Sequence, residues 1–465
     1  LVMAKVNFRD CPWIRIEADG KVKILRQELY TYLKENLHLK ISGNGNMYLY
    51  DSGCYRLISN NKLKALIKEY LPVQFRNNKD WEAVWREFTT DFPDIKEEDF
   101  NCDEKHIVFE NGVLDISQKE TNTLENHSPK YLYTRKIPCN YTPGLTLDDA
   151  PVFKTYLDTL CGDDEQAKIF LLEFIGAIIS NVKGWRFKKL LLLVGEGNTG
   201  KTQLREFVVN LLGKCNCISM DMAKLNERFA SALLWRKRLA GSGDMGFVTI
   251  DEVNTLKNLT GGDNLFAEFK GKDGFSFVYD GLLWFNTNKL PYFRGDRGKH
   301  VYERFMIVRC PNIIPKEKRD PQLLDKLLNE KEAIVSVAIE YLKQAIERGY
   351  QFTESEFMTC ERDDYEIENN SLLCFVSECC QIGNGYTRRS EFNKIYVQWC
   401  RINAVQPERS REIGNLLWKT YQLEASKRNG LYVYPLAIKD EELEELEEVL
   451  RQTGQNYRFS RSAKY

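Results

Sequence analysis

Leu190-Leu-Leu-Leu-Val-Gly-Glu-Gly-Asn-Thr-Gly-Lys-Thr202 is the stretch whose reading decides the fold. Five apolar residues run into a glycine-rich turn of the form G-x-x-x-x-G-K-[ST], and Gln203–Leu212 continues at helical spacing. Strand, turn and helix in that order predict a loop that cradles the phosphates of ATP or a related nucleotide. Gly195, Gly197 and Gly200 let the backbone curl. The N–H groups along Gly195, Glu196, Gly197, Asn198, Thr199, Gly200, Lys201, Thr202 and Gln203 then form the expected cradle. The helix behind it turns the positive end of its dipole to the same anion. Lys201 would reach the β/γ oxygens, and the Thr202 hydroxyl would hold Mg²⁺.

Working outward, the chain of 465 residues is long enough for about three domains, each with its own core. Its 43% apolar and 29% charged residues are those of a soluble globular protein, and a net charge of −1 restricts nucleic-acid contact to local patches. No apolar run approaches ~18 residues, so no membrane partner is expected. No apolar segment of secretory type follows Leu1-Val-Met-Ala-Lys5, and the expected location is cytoplasmic. The 13 cysteines fall at irregular spacings and only four histidines are present, which speaks against structural zinc and fits a reducing compartment.

Three domains are expected. Residues 1–150 alternate short helical and strand signals, with a hairpin over His106–Asp115 turned at Asn111-Gly112, and form a non-catalytic α+β domain. Residues 151–355 hold the nucleotide core, flanked by a helical pair over Pro151–Ser180 and by a charged helical stretch, Pro315–Tyr350, that reads as a lid. Glu354–Asp364 is polar and reads as a hinge into a C-terminal domain, residues 356–465. The fold class is therefore multidomain α/β, with a P-loop core built on a parallel sheet.

Within the core, Leu282-Leu-Trp-Phe-Asn-Thr-Asn288 is an apolar strand whose terminal Asn288 suits a sensor that orients the attacking water. Leu265–Tyr279 reads as two strands around Gly271-Lys-Asp-Gly274, which places Lys270 and Lys272 at a hairpin tip able to touch a DNA backbone. For a metal-site acid, the residues themselves favour Asp251-Glu252, at the end of the apolar run Phe247–Ile250.

These segments resemble the superfamily 3 helicases, more narrowly the poxvirus-type primase-helicases and the replication initiators of phages, plasmids and phage-inducible pathogenicity islands. The resemblance rests on residues 195–202, Lys237-Arg-Leu239 with Asp244, Leu259-Thr-Gly-Gly-Asp263, Asn288-Lys-Leu-Pro291 and Arg294-Gly-Asp296 leading to Arg304. It implies an AAA+-like core with a helical lid, a homo-hexameric ring and 3′→5′ translocation on single-stranded DNA. Its spacing back from Thr260 selects Asp244 as the metal-site acid, so Asp244 and Asp251/Glu252 both stand. It also matches Arg304 to an arginine finger acting on a neighbouring subunit, with Arg294 and Arg297 as rivals.

The C-terminal segment is locally basic: nine Lys/Arg against four Asp/Glu lie between Arg388 and Arg428. An amphipathic helix over Ser390–Cys400 is followed by a second helix, capped by Ser410, and by a hairpin turned at Asn429-Gly430. That order describes a winged helix. Arg409, Arg411 and Lys419 would contact DNA from the second helix, and Lys427 and Arg428 from the wing. The acidic run Glu441–Leu450 reads as a packed or solvated helix face.

The function expected from all this is an ATP- and Mg²⁺-dependent replicative DNA helicase that also initiates replication of a phage-related mobile element. Its partners would be single-stranded and duplex origin DNA, its own copies, and host replication proteins. An origin-binding initiator using ATP only as an assembly switch, and a primase-helicase, stand as alternatives.

Overall fold

The computed structural model describes residues 11–76, 79–91, 93–118, 123–271, 273–293, 298–403, 405–452 and 458–459. Its centre is the strand Leu190–Val194 (β1), all five of whose residues are buried. A strand apolar at every position must be covered on both faces. Leu191 and Leu193 enter one core cluster, while Leu190, Leu192 and Val194 enter another. Each buried leucine contributes roughly 2 kcal/mol, so this strand anchors both layers.

β1 leads through residues 195–200 into the helix Lys201–Leu212 (α1). Cys217–Ser219 (β2), Leu239–Gly241 (β3), Leu282–Thr287 (β6) and Phe305–Arg309 (β7) complete a parallel sheet of order β2-β3-β6-β1-β7. Between β3 and β6 the chain inserts the helix Asn254–Gly261 (α2) and an antiparallel hairpin, Asn264–Ala267 (β4) with Phe275–Val278 (β5).

One face of the sheet is covered by the helices Pro151–Cys161 and Glu165–Ile179, by α1, and by Lys331–Glu347. Lys331–Glu347 therefore does not behave as the lid read from the sequence. Its buried side, Ile334 to Leu342, is a wall of the main core, packed on Glu165–Ile179. A side chain at Gly176 would stand 2.3 Å from the Ala338 carbonyl, so the two helices meet backbone to backbone. From that stretch it is residues between 313 and 323 that stand over the carboxyl edge of the sheet. The hinge is likewise corrected. Residues 356–369 form a helix whose first turn is capped by the Ser355 hydroxyl, and its Tyr365 is buried with the hydroxyl donating to Pro291 O at 2.5 Å. Its exposed acids gave the polar reading; its buried side holds it to the core.

The N-terminal segment sets three helices against the sheet Leu39–Ile41, Met47–Asp51 and Cys54–Ile58. The hairpin His106–Phe109/Gly112–Asp115 turns one residue earlier than expected, at Glu110-Asn111. Gly112 opens its second strand, because any Cβ there would sit 2.7 Å from the Glu125 carbonyl. Arg236, from the core, reaches Glu97 and Tyr48 of this segment. The buried Glu97 carboxylate also accepts from Ser42 Oγ (2.6 Å) and Asn46 Nδ2 (2.8 Å).

The C-terminal segment has its own cluster, built from the helices Ser371–Cys379, Arg389–Ile402, Ser410–Tyr421 and Asp440–Gln452. A three-stranded sheet joins them, with Leu431–Ile438 between Cys380–Arg388 and Ser426–Arg428. Asn429 (φ 48°) and Gly430 (φ 81°) make a tight two-residue turn, as their sequence predicts. Ser410 is not the cap: it begins the helix, and Arg409 precedes it with no side-chain cap. The acidic helix buries Leu443, Leu446 and Leu450 and is packed. Among the described residues no disulfide is formed, and no helix is long and apolar enough to cross a membrane.

Candidate functional site

At the carboxyl ends of β1, β3 and β6 lies a cavity of about 990 Å³. Ligands of open parallel α/β sheets bind at that edge. Its floor is Gly197–Gln203, one side is Gly243, Asp244 and Asn288, and the other is the Pro151–Cys161 helix with residues 313–323. Gly195 and Glu196 do not line it. A Cβ at Gly195 would lie 2.6 Å from the Cys310 carbonyl, so the turn passes too close to the neighbouring strand for any other residue.

Lys201 is buried, and its ammonium donates to Gly195 O (2.6 Å), Glu196 O (2.9 Å) and Thr199 Oγ1 (3.2 Å). The turn is thus curled around its own lysine. Burial lowers the Lys201 pKa, and Cys310, Asp244 and Glu196 oppose that shift only in part. Asn198 (φ 66°) and Gly200 (φ 97°) are the two left-handed corners that bring the loop into α1. Thr202 is exposed to the cavity and its hydroxyl lies 3.4 Å from Gly243 O.

The structure brings Asp244, not Asp251-Glu252, to this edge. Residues 249–250 pair with Tyr292–Phe293 in a separate two-stranded ladder, and neither Asp251 nor Glu252 lines the cavity. β3 looks weak in sequence because it is made of small residues. A Cβ at Gly241 would fall 1.9 Å from the Trp284 carbonyl on β6, so only glycine fits there. Asp244 is exposed, and its carboxylate has no ion-pair or hydrogen-bond partner among the described residues. Asn288, just past β6, is exposed on the same cavity.

Arg304 is held at the opposite end of the sheet. It precedes β7, whose far end reaches Gly195 six residues later, about 20 Å away at strand rise. Its Nη1 donates to Thr260 Oγ1 at 2.7 Å, while its Nε is buried without a partner. Burial lowers its pKa, with Asp263 opposing. It does not line its own chain's cavity.

Lys270 is exposed at the mouth of the β4–β5 turn, beside Gly271 (φ 75°). Lys272, and the rivals Arg294 and Arg297, lie outside the described residues. The neck of this hairpin is aromatic: Phe269 stacks on Phe275 with centroids 5.6 Å apart, and Trp235 meets Phe275 edge-on at 5.5 Å. In the C-terminal segment Arg409, Arg411, Lys419, Lys427 and Arg428 are all exposed. Arg428 lies over the Tyr386 ring at 3.7 Å and donates to its hydroxyl at 2.7 Å, which fixes the cation at the strand edge.

Two supporting contacts escaped the sequence reading. The Tyr156 hydroxyl donates to Gly200 O at 2.9 Å and tethers the end of the loop. The Glu330 carboxylate accepts from Val152 N (3.0 Å) and Phe153 N (2.9 Å), capping the helix that walls the cavity. In sequence Tyr156 is one more apolar position on a helix, and Glu330 lies some 180 residues from its partners, as does any long-range cap.

Comparison with known proteins adds a direction. Residues 8–162 match a family described as D5 N terminal like, and residues 193–304, from the end of β1 to Arg304, match a family of unknown function, DUF5906. A putative helicase, 184R, of Invertebrate iridescent virus 6 is 29% identical over 202 residues, covering 40% of this chain and 20% of the viral protein. The chain thus spans about a fifth of that relative's length. The apo C-terminal region of NrS-1 aligns over 87% of this chain and 98% of its own at 14% identity, with a TM-score of 0.47; a second apo structure of that region gives 0.46. The chain is thus similar, over part of its length, to D5-like proteins and to a viral protein named as a putative helicase.

Proposed function

We propose that this chain is an ATP-driven DNA helicase motor of the superfamily 3, AAA+-like type, acting as a hexamer with 3′→5′ polarity. The observation that carries the reading is the convergence of Gly197–Thr202, Asp244 and Asn288 on one cavity at the carboxyl edge of a parallel sheet. Residues 195–203 act as the phosphate loop, and Lys201 leaves its carbonyl partners for the β/γ oxygens. Thr202 and Asp244 present oxygen donors to the same space, the set that a small hard cation takes. Bound there, Mg²⁺ would screen the phosphate charge. Asn288 orients the attacking water, and Arg304, shut off from its own cavity by the length of the sheet, serves the neighbouring protomer.

The β4–β5 hairpin would carry Lys270 and Lys272 against the threaded strand. The C-terminal segment acts as a winged helix on duplex DNA, with Arg409, Arg411 and Lys419 on its second helix and Lys427 and Arg428 on the wing. The three-part division at residues 150 and 355 belongs to the same proposal, as do initiation at an origin and a site of action in the cytoplasm.

Asp244 and Asp251 give a clean test. Asp244→Asn is expected to reduce Mg²⁺-dependent ATP hydrolysis by about 100-fold or more, whereas Asp251→Asn stays within about two-fold of the parent. Steady-state phosphate release measures both. The opposite pattern would move the metal-site acid to the second ladder and dissolve the site drawn here.

A further inference from the structure

Beneath the cavity lies an arginine that no carboxylate pairs with among the described residues. Arg205 stands on α1 one helical turn beyond Lys201, and it is 5% exposed. Its Nη2 donates to Gly241 O at 2.9 Å, and its Nε has no partner. A Cβ built on Gly243 would lie 3.7 Å from both Arg205 Cδ and Nη1, so the guanidinium sits directly beneath Gly243. The Gly243 carbonyl in turn faces Thr202 Oγ1 (3.4 Å) and Asn286 Nδ2 (3.3 Å), and the next residue is Asp244. No carboxylate pairs with Arg205 among the described residues.

Arg238 shows how this fold treats an arginine that is only structural. It is 0% exposed, and its guanidinium donates to the carbonyls of Ala177, Ile178, Val182 and Asp280. Arg205 has one carbonyl and an orphaned N–H. Leaving a buried cation without a counter-ion costs several kcal/mol, so such a group persists where a further anion completes it. The space above Gly243 is the one expected to take a polyphosphate, and in a low-dielectric wall a fixed charge acts strongly across a single peptide layer.

We propose that Arg205 is a positioning residue of the nucleotide site: from beneath the 241–244 loop it supplies positive charge whose counter-ion is the bound polyphosphate. The inference rests on the nucleotide reading of the cavity. Arg205 is thus strained electrostatically in the empty protein and relieved in the loaded one. Nucleotide affinity carries that difference.

The test is Mg·ADP binding by calorimetry, with thermal melting of the same full-length proteins, for the parent, Arg205→Met and Arg205→Lys. Arg205→Met is expected to bind Mg·ADP about ten-fold more weakly, a change of about 1.4 kcal/mol, and to melt no lower than the parent when empty. Arg205→Lys, which keeps the charge, recovers affinity to within about three-fold. Unchanged affinity in Arg205→Met overturns the proposal, whatever its melting point, because Arg205 is then a strut. Equal losses in Met and Lys variants overturn it too, since the charge is then not the cause. Failure of the parent to bind Mg·ADP at all would instead remove the nucleotide reading itself.

Discussion

Lys201→Ala is expected to cut ATP hydrolysis by about 10²–10³-fold and to abolish strand displacement, while duplex binding stays within about two-fold of the parent. The ammonium is buried and carries three short contacts within the loop, all to uncharged oxygens. A triphosphate offers it charged oxygens instead, which adds a Coulomb attraction that uncharged carbonyls lack. The alanine variant loses that attraction and also the group around which the loop is curled. Duplex binding is retained because the exposed cations at 409–428 belong to a separate core cluster. Phosphate release and fluorescence anisotropy on labelled duplex measure the two halves. Loss of duplex binding along with hydrolysis would show that the two surfaces are not independent.

Arg304→Ala is expected to cost even more, about 10³–10⁵-fold in hydrolysis, the range over which an arginine supplied to a phosphoryl-transfer site acts. Its side chain cannot reach its own cavity, since β7 separates the two by about 20 Å. The decisive form of the experiment mixes two inactive proteins. In a mixed assembly, Lys201→Ala protomers lend Arg304 to Arg304→Ala protomers, whose loops are intact. Hydrolysis should therefore reappear on mixing. Mixed protein as inactive as either component would mean that Arg304 acts within its own chain or only structurally. Arg304 also donates to Thr260 Oγ1, at the end of the helix that leads into β4. Arg304 is thus bonded to the one element that leads into the Lys270 hairpin.

How legible these parts were depends on whether their causes are local. The β1 strand and the 195–202 turn could be read outright, because a strand buried on both faces is apolar at every position and the turn needs glycine at fixed offsets. The Asn429-Gly430 hairpin was readable for the same reason: its two left-handed residues are neighbours in sequence. β3 reads only as a weaker strand, since its glycine is set by the Trp284 carbonyl, over forty residues away. The choice between Asp244 and Asp251-Glu252 came from family spacing, against the apolar pattern, and the structure places Asp244 on the cavity. Lys331–Glu347 passed for a cover because its charged residues hide a buried side wide enough to wall the main core. The segment after Glu354 passed for a hinge for the same reason: a helix packed on one side shows mostly its wet face in composition. Ser410 illustrates the limit at element ends, where a one-residue shift makes a capping residue the first residue of the helix. Arg205 and Tyr156 carry no sequence signal, because what marks them is the lack of a partner in one case and a bond 44 residues away in the other.

The central claim is that nucleotide turnover between neighbouring protomers moves a basic hairpin along one strand of DNA. Strand displacement on forked duplexes tests it most directly, with ATP and Mg²⁺ present and single-stranded tails of either polarity. The account predicts release of the labelled strand only with ATP, from the fork whose loading tail requires 3′→5′ movement, and none with Lys201→Ala. ATP hydrolysis that proceeds with no strand released from either fork would contradict it and leave a nucleotide-controlled assembly switch in its place.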